Sequence, residues 1–336
     1  MIALIMAGGS GKRFWPLSND NLPKQYLTLF DKKSMLKLAY ERMLPFIKKD
    51  DIYIVTTHEQ VPLVYDYLPE INSCQIIAEP CAMNTGPCIA LSVANFLWNY
   101  SRDERVLVVP ADHYIPDIEK FGEAIIEADK RAKEDFIIIF GIKPTYPATG
   151  FGYIETGNFV KDNVFHVKHF KEKPDKEMAV TFLNKGNYYW NSGMFCFSIF
   201  SIIKAFEKHN KEIFDKAVEV SCIKDLKEKR EKYKTLPILP FDISVLEKAD
   251  NVLTILGDFT WSDVGNWSSL SDLMVKDENN NYSKGKSQYI NSHNNSVFSK
   301  KFTALIGVDD LIIVETANSI LVCKKEDAEL VKNLFQ

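Results

Sequence analysis

Short apolar runs alternate with longer two-faced stretches through the first part of the chain, and this alternation constrains the fold more than any single motif. Residues 2–6, 52–56, 75–77, 106–109 and 136–140 are short, β-branched and apolar on both faces, as buried parallel strands are. Residues 34–46, 61–68, 84–98 and 118–132 instead repeat their apolar positions at the helical period. Strands alternating with helices predict an α/β fold with a mostly parallel sheet and helices on both faces. In such sheets a ligand sits beyond the carboxyl ends of the strands. Gly8 and Asp112 each fall just past a predicted strand end, so one crevice can receive both.

At 336 residues the chain exceeds one average domain, and two are expected. A polar patch at 277–286, with Asn279-Asn280-Asn281 inside it, reads as a linker. It divides a large domain, 1–276, from a small β-rich one, 286–336. The small domain carries strands at 288–291, 296–298, 303–306, 311–314 and 319–322 and a terminal helix from Glu326. The charged run 224–234 has helical composition and reads as a solvated face. A net charge of −4 argues against a nucleic-acid footprint. The apolar runs are too short to span a bilayer, and the N-terminus lacks the basic lead of a signal peptide. Six cysteines without a C-x-x-C pair read as buried free thiols in a reducing, cytoplasmic setting.

The first apolar run ends in Ala7-Gly8-Gly9-Ser10-Gly11-Lys12-Arg13-Phe14-Trp15-Pro16-Leu17-Ser18, with Pro23-Lys24-Gln25 a few residues on. Glycine lacks the Cβ that forbids positive φ, so the loop can turn tightly and come close to a ligand. Bare N–H groups there make an anion cradle, to which Lys12, Arg13 and Lys24 add fixed positive charge. A phosphate chain is the expected visitor. Arg13 after Gly11-Lys12 excludes a P-loop, and Phe14 in the place of the third glycine excludes a dinucleotide fingerprint. Pro16 and Pro23 also argue against the long helix that both motifs require. On its glycines alone, the string reads equally well as an ordinary strand-to-loop turn.

Val108-Val109-Pro110-Ala111-Asp112-His113 sets a carboxylate directly after an apolar strand, and Trp261-Ser262-Asp263-Val264-Gly265-Asn266-Trp267 supplies another. Either is readable as a turn or cap aspartate. Magnesium takes one or two carboxylates plus phosphate oxygens and water, so two aspartates far apart in sequence are an expected supply. Glu79-Pro80-Cys81-Ala82-Met83-Asn84-Thr85-Gly86-Pro87 leads into a helix whose N-cap would be Asn84. Thr149-Gly150-Phe151-Gly152-Tyr153-Ile154-Glu155 reads as a hairpin bend, and Phe170-Lys171-Glu172-Lys173-Pro174-Asp175 as an exposed turn. Tyr189-Trp190-Asn191-Ser192-Gly193-Met194-Phe195 completes the set.

Taken together, G-G-x-G-x-R-x-x-P-L-S followed by P-K-Q resembles the opening of the sugar-phosphate nucleotidyltransferases. With Phe14, Trp15, Ser18 and Gln25 it looks most like the mannose-1-phosphate guanylyltransferases among them. The resemblance is specific over 1–270 and looser beyond. It implies a Rossmann-like core of the nucleotide-diphospho-sugar transferase type. In relatives the tail forms part of a left-handed β-helix and can help dimerisation, which makes a homodimer one expectation. The resemblance implies nucleotide contacts from Ala7, Gly8, Gly9, Gly11, Glu79, Asn84, Thr85 and Asp112, and sugar-phosphate contacts from Gly150, Glu172, Lys173 and Asn191. It implies that Arg13, Lys24 and Lys173 supply catalytic charge, and that Asp112 and Asp263 hold magnesium or another divalent cation. A carboxylate at Glu79 would accept from guanine N1–H and its 2-amino group, a donor pair that uracil and thymine lack.

The implied reaction joins GTP and mannose 1-phosphate into GDP-mannose and diphosphate, with no nucleic-acid or membrane partner. Two rivals stand beside it: a nucleotidyltransferase for another hexose 1-phosphate, and a catalytically silent regulatory subunit. The latter would be expected to lose charged site residues, whereas Arg13, Lys24, Asp112, Lys173 and Asp263 are all present. The length of the chain disfavours a fused isomerase.

Overall fold

The computed structural model describes residues 1–9, 11–30 and 32–334, except the side chain of Lys12. Ser10 in the glycine string and the Lys12 ammonium therefore lie outside the described residues. The first part of the chain follows the expected alternation: β1 (Ile2–Met6), α1 (Met35–Met43), β2 (Ile52–Thr57), α2 (Val61–Tyr67), β3 (Ile76–Glu79), α3 (Thr85–Phe96), β4 (Arg105–Pro110), α4 (Ile118–Ala132) and β5 (Ile137–Ile142). The middle then supplies β6 (Tyr153–Lys161), β7 (Val164–Lys171), α5 (Lys176–Lys185), β8 (Tyr188–Ser198), α6 (Ile199–His209), α7 (Lys211–Cys222) and α8 (Leu226–Tyr233). A π-helical turn (Asp242–Leu246) and β9 (Val252–Leu256) complete it.

These nine strands form one sheet in the order β3-β2-β1-β4-β8-β5-β9-β7-β6. β1 pairs in parallel with β2 and β4, β2 with β3, and β5 with β9. β8 enters antiparallel between β4 and β5, and β6 and β7 extend the sheet as an antiparallel hairpin. The middle of the sequence lacks clean periodicity because β8 is a buried insertion, apolar on both faces and broken by Asn191-Ser192-Gly193. Along β1, Ile2 and Leu4 pack into a core with Ile89 and Val93 of α3 and Phe206 of α6. Ala3 and Ile5, which alternate to the opposite face, are equally buried. Each buried Ile or Leu side chain contributes about 1.5–3 kcal/mol through the apolar surface it removes from water. Two-sided burial explains why the run carries no polar alternation.

The chain divides into two compact units. One comprises Met1–Gly8, Lys37–Ala111 and Ile115–Trp261 and contains the nine-stranded sheet. The other comprises Gly9–Leu36, Asp112–Tyr114 and Ser262–Gln336, so the first loop groups with the C-terminal part of the chain. The expected boundary at 276/286 is linear, whereas these units interleave. The second unit holds α9 (Trp267–Asp272), β10 (Tyr282–Ser283), β11 (Ser287–Ile290), β12 (Ser296–Phe298), β13 (Thr303–Ile306), β14 (Leu311–Glu315) and β15 (Ile320–Lys324). Parallel pairing of β10 with β12, β12 with β14, and β11 with β13 stacks successive turns of chain.

Residues 277–286 are not the expected linker but part of the stacked β region. Asn281 is 2% exposed, donates to Ser292 O at 2.9 Å and accepts from Asn295 N at 2.9 Å. Its amide thus satisfies the inside of a stacked turn, and composition alone cannot distinguish such a ladder from a solvated linker. The expected terminal helix is a 3-10 segment, Lys325–Asn333. The run 224–234 does form α8, but Tyr233 at its end is wholly buried rather than solvated. Among the described residues, no helix is long and apolar enough to cross a membrane.

Candidate active site

In the second unit, two strings distant in sequence are locked together by their aromatic residues. Phe14 is fully buried with its ring centroid 5.0 Å from that of Trp267, and Trp267 Nε1 donates to Trp15 O at 2.9 Å. Phe298 packs on the other part of Trp267 at 4.8 Å, joining the loop to the stacked strands. Gly11, at φ +59°, makes a turn that also supports this assembly. Its carbonyl accepts from Ser18 Oγ at 2.6 Å, and a Cβ there would lie 2.3 Å from Lys24 N. Only glycine can serve where backbone passes backbone so closely.

This packing brings Lys24 to both aspartates. Its ammonium donates to Asp112 Oδ2 at 2.7 Å and to the Asp263 carbonyl at 2.5 Å. Burial opposes ionisation of Asp112, but Lys24 and His113 outweigh it and hold the carboxyl below the usual range. Asp263 goes the other way. Burial and the negative charge of Asp112 raise it, while Lys24 and Arg13 partly offset them. The turn presenting Asp263 is strained, for the β-branched Val264 sits at φ +46°. Arg13 is exposed. Hard carboxylate oxygens suit a divalent cation whose other ligands are phosphate oxygens and water, and the Lys24 ammonium suits a phosphate.

The first unit contains the remaining expected residues. Ala7 is buried, with its N–H committed to Val55 O at 2.8 Å and its carbonyl accepting from Thr56 Oγ1, so it prolongs the pairing of β1 with β2. Gly8 and, in the second unit, Gly9 are exposed. Glu79 ends β3 and is 4% exposed; its Oε1 accepts from Tyr233 OH at 2.7 Å. Burial pushes its carboxyl up to about 7, although the Tyr233 and Cys88 hydrogen bonds act to lower it. Asn84 is the N-cap of α3, accepting from Thr85 N, and Thr85 Oγ1 accepts from Phe241 N at 2.8 Å.

Asn191 is 7% exposed on β8, beside a break in the β5–β8 register. Its Nδ2 donates to Asp242 Oδ1 at 2.7 Å, and its Oδ1 accepts from Gly193 N at 3.3 Å. Glu172 pairs with Lys173 at 3.0 Å, and Lys173 stands at φ +43° with its side chain largely exposed. A Cβ on Gly152 would meet Glu172 Oε2 at 2.7 Å, whereas one on Gly150 would meet nothing within 4 Å. Local packing therefore demands glycine at 152, not at 150.

Asp242 is the member of this cluster that sequence reasoning missed. It opens the π-helical turn, whose hydrogen bond from Glu247 N to Asp242 O sets Asp242 and Glu247 five residues apart on one side. Glu247 Oε1 accepts from Glu172 N at 3.1 Å. Burial, then the charge of Glu172, pushes Asp242 up to about 7. Its only sequence signal is an acid beside Phe241 in an otherwise apolar stretch.

A family model described as Nucleotidyl transferase matches residues 2–280, and one described as MannoseP isomerase/GMP-like beta-helix domain matches 288–336. The chain is 34% identical to mannose-1-phosphate guanylyltransferase 2 of Escherichia coli O157:H7, over 100% of this chain and 73% of that protein. It is 36% identical to a mannose-1-phosphate guanylyltransferase of Salmonella muenchen, over 99% of this chain and 72% of the relative. A crystal structure described as mannose-1-phosphate geranyltransferase from Thermus thermophilus superposes with a TM-score of 0.91. It is 32% identical and covers 99% of this chain and 97% of that one.

Proposed function

This chain belongs to the nucleotidyl transferase family, and from that premise we propose that it joins GTP and mannose 1-phosphate into GDP-mannose and diphosphate. The observation that carries the reading is similarity over 99–100% of this chain, and 72–73% of the relatives, to proteins named mannose-1-phosphate guanylyltransferase. The pairing of Lys24 with Asp112 and with the Asp263 carbonyl supports it chemically.

An oxygen of the sugar phosphate attacks the α-phosphorus of GTP. A new P–O bond forms as the bond to the β-phosphate oxygen breaks, and diphosphate leaves in line. No general base is required, because the nucleophile is already ionised. The obstacle is repulsion: two unit charges about 5 Å apart at an effective dielectric of about 20 repel by roughly 3 kcal/mol. A divalent cation, magnesium in this reading, would be held by Asp112 and Asp263 and would supply positive charge against the phosphates. Lys24 and Arg13 supply fixed charge to the nucleotide phosphates, and Lys173 to the sugar phosphate. Glu172 and Asn191 bind sugar hydroxyls, with Asp242 orienting the Asn191 amide. Preorganised charge and positioning then account for catalysis.

The division into a catalytic segment, 1–276, and a β-rich tail, 286–336, belongs to the same proposal and is supported by the two family matches. Cytoplasmic placement is supported by six free cysteines, although the buried-thiol reading holds only for Cys88 and Cys196, since Cys74 and Cys222 are exposed and Cys81 and Cys323 half-buried. A homodimer is supported by Ile320 and Val322, exposed by 63% and 58% on the sheet-edge strand β15; light scattering would test it.

A grid of nucleotides against hexose 1-phosphates, read by diphosphate release, tests the function. GTP with mannose 1-phosphate should be the fastest pair. Preference for another pair would overturn the substrates, and silence throughout would favour the regulatory subunit. Lys173→Ala should raise KM for mannose 1-phosphate at least about tenfold while leaving KM for GTP nearly unchanged. Equal changes in both would remove Lys173 from the sugar-phosphate site.

A further inference from the structure

α8 reads Leu-Lys-Glu-Lys-Arg-Glu-Lys-Tyr, and Tyr233 is its one buried residue. Packing alone would be satisfied by Leu or Phe, since a buried phenol needs a hydrogen-bond partner. That partner is Glu79, 154 residues earlier, whose Oε1 accepts from the phenol at 2.7 Å. A carboxylate as buried as this one is costly unless donors satisfy it. Two donors face it: the Tyr233 hydroxyl from α8 and the Cys88 thiol from α3. Cys81, in the loop between β3 and α3, lies within electrostatic reach of Glu79 and also of Arg230, Lys234 and Glu59. The second oxygen lies toward the exposed Gly8, where a Cβ would stand 3.9 Å from it, an ordinary van der Waals distance.

We propose that Tyr233 is a positioning residue for the nucleobase, holding the Glu79 carboxylate ionised and oriented for guanine's N1–H and 2-amino group. This rests on the reading of Glu79 as the base acceptor. The phenol acts through Glu79 and does not touch the base. Its hydrogen bond favours the charged form, and burial opposes it. GTP selects the ionised carboxylate, so KM for GTP rises as pH falls below about 7. Without the phenol, the Glu79 carboxyl goes higher still, and the midpoint moves up by about one pH unit.

The test is Tyr233→Phe, which keeps the ring and deletes one oxygen. KM for GTP, ITP and mannose 1-phosphate is measured from pH 6 to 9, with thermal unfolding as the control on folding. At pH 7, KM for GTP should rise about five- to tenfold, and preference for GTP over ITP, which lacks the 2-amino group, should fall similarly. KM for mannose 1-phosphate should stay within about twofold, and the GTP defect should shrink above pH 8. Cys88→Ala, which removes the weaker donor, should move the same quantities in the same direction by less, and it reports if Tyr233→Phe does not fold. A pH-independent loss shared by both substrates would overturn the proposal, as would unchanged profiles in both variants. Glu79→Gln separates the two levels: unchanged discrimination between GTP and UTP removes Glu79 from the base site. Lost discrimination there, with wild-type profiles for Tyr233→Phe, removes Tyr233 alone.

Discussion

Asp112→Asn should lower turnover by two to three orders of magnitude, the loss typical of removing one preorganised electrostatic group. Asparagine preserves size and one acceptor oxygen, so the change isolates charge. In the wild-type protein Asp112 is held ionised below the usual carboxylate range, 2.7 Å from the Lys24 ammonium. The variant leaves Lys24 with the Asp263 carbonyl and no paired carboxylate. On the proposed reading it also removes one of the two anionic ligands of the divalent cation, so half-maximal activity should require more magnesium. The Asp112 side chain is about a third exposed, and water can replace part of the lost pairing. The melting temperature should therefore change far less than turnover. Steady-state rates across a magnesium titration check this, and a loss under tenfold would remove Asp112 from the chemistry.

Gly11→Ala is expected to cost about a hundredfold in kcat/KM and to lower thermal stability measurably. Alanine at φ +59° is disfavoured by roughly 1–2 kcal/mol from local sterics alone. The larger effect is collision, because the new Cβ would fall 2.3 Å from Lys24 N and 3.1 Å from Lys24 Cα. No rotamer change relieves contact with backbone, so the Lys24 segment must shift and carry its ammonium away from Asp112. Misplacement of a catalytic group by about 1 Å can cost on the order of a hundredfold. Gly9→Ala makes the comparison: φ there is +118°, but nothing lies within 4 Å of the added Cβ. The Gly9 variant should show strain without displacement of Lys24. Kinetics and melting curves of the two variants side by side decide it. Wild-type turnover in Gly11→Ala would show that the loop's close approach to Lys24 is dispensable.

Much of the architecture was legible because its causes are local. Burial on both faces leaves an uninterrupted apolar run, so β1 and β5 were readable from five or six residues each. The helical period similarly revealed α4 over Ile118–Ala132. The middle was opaque because β8 enters antiparallel between β4 and β5, and an insertion of that kind leaves no mark on local periodicity. At 277–286 composition misled: the polarity that suggests a solvated linker instead satisfies buried backbone through Asn281.

The same boundary runs through the candidate site. The linear order of residues already shows which side chains are available: the glycines of the first turn, the lysines and arginine around it, and the acids after apolar strands. Resemblance grouped them into a reaction. Folding alone brings Lys24 to Asp112 across 88 residues and to the Asp263 carbonyl across 239. It likewise decided that Tyr233 holds Glu79 and that Asp242 orients Asn191. The physical reason is that chain conformation is set by neighbours in sequence, whereas the charge state of a carboxyl is set by neighbours in space. Lys24 and His113 hold Asp112 low against its burial, whereas burial raises Glu79 and Asp242 to about 7 against the donors that face them.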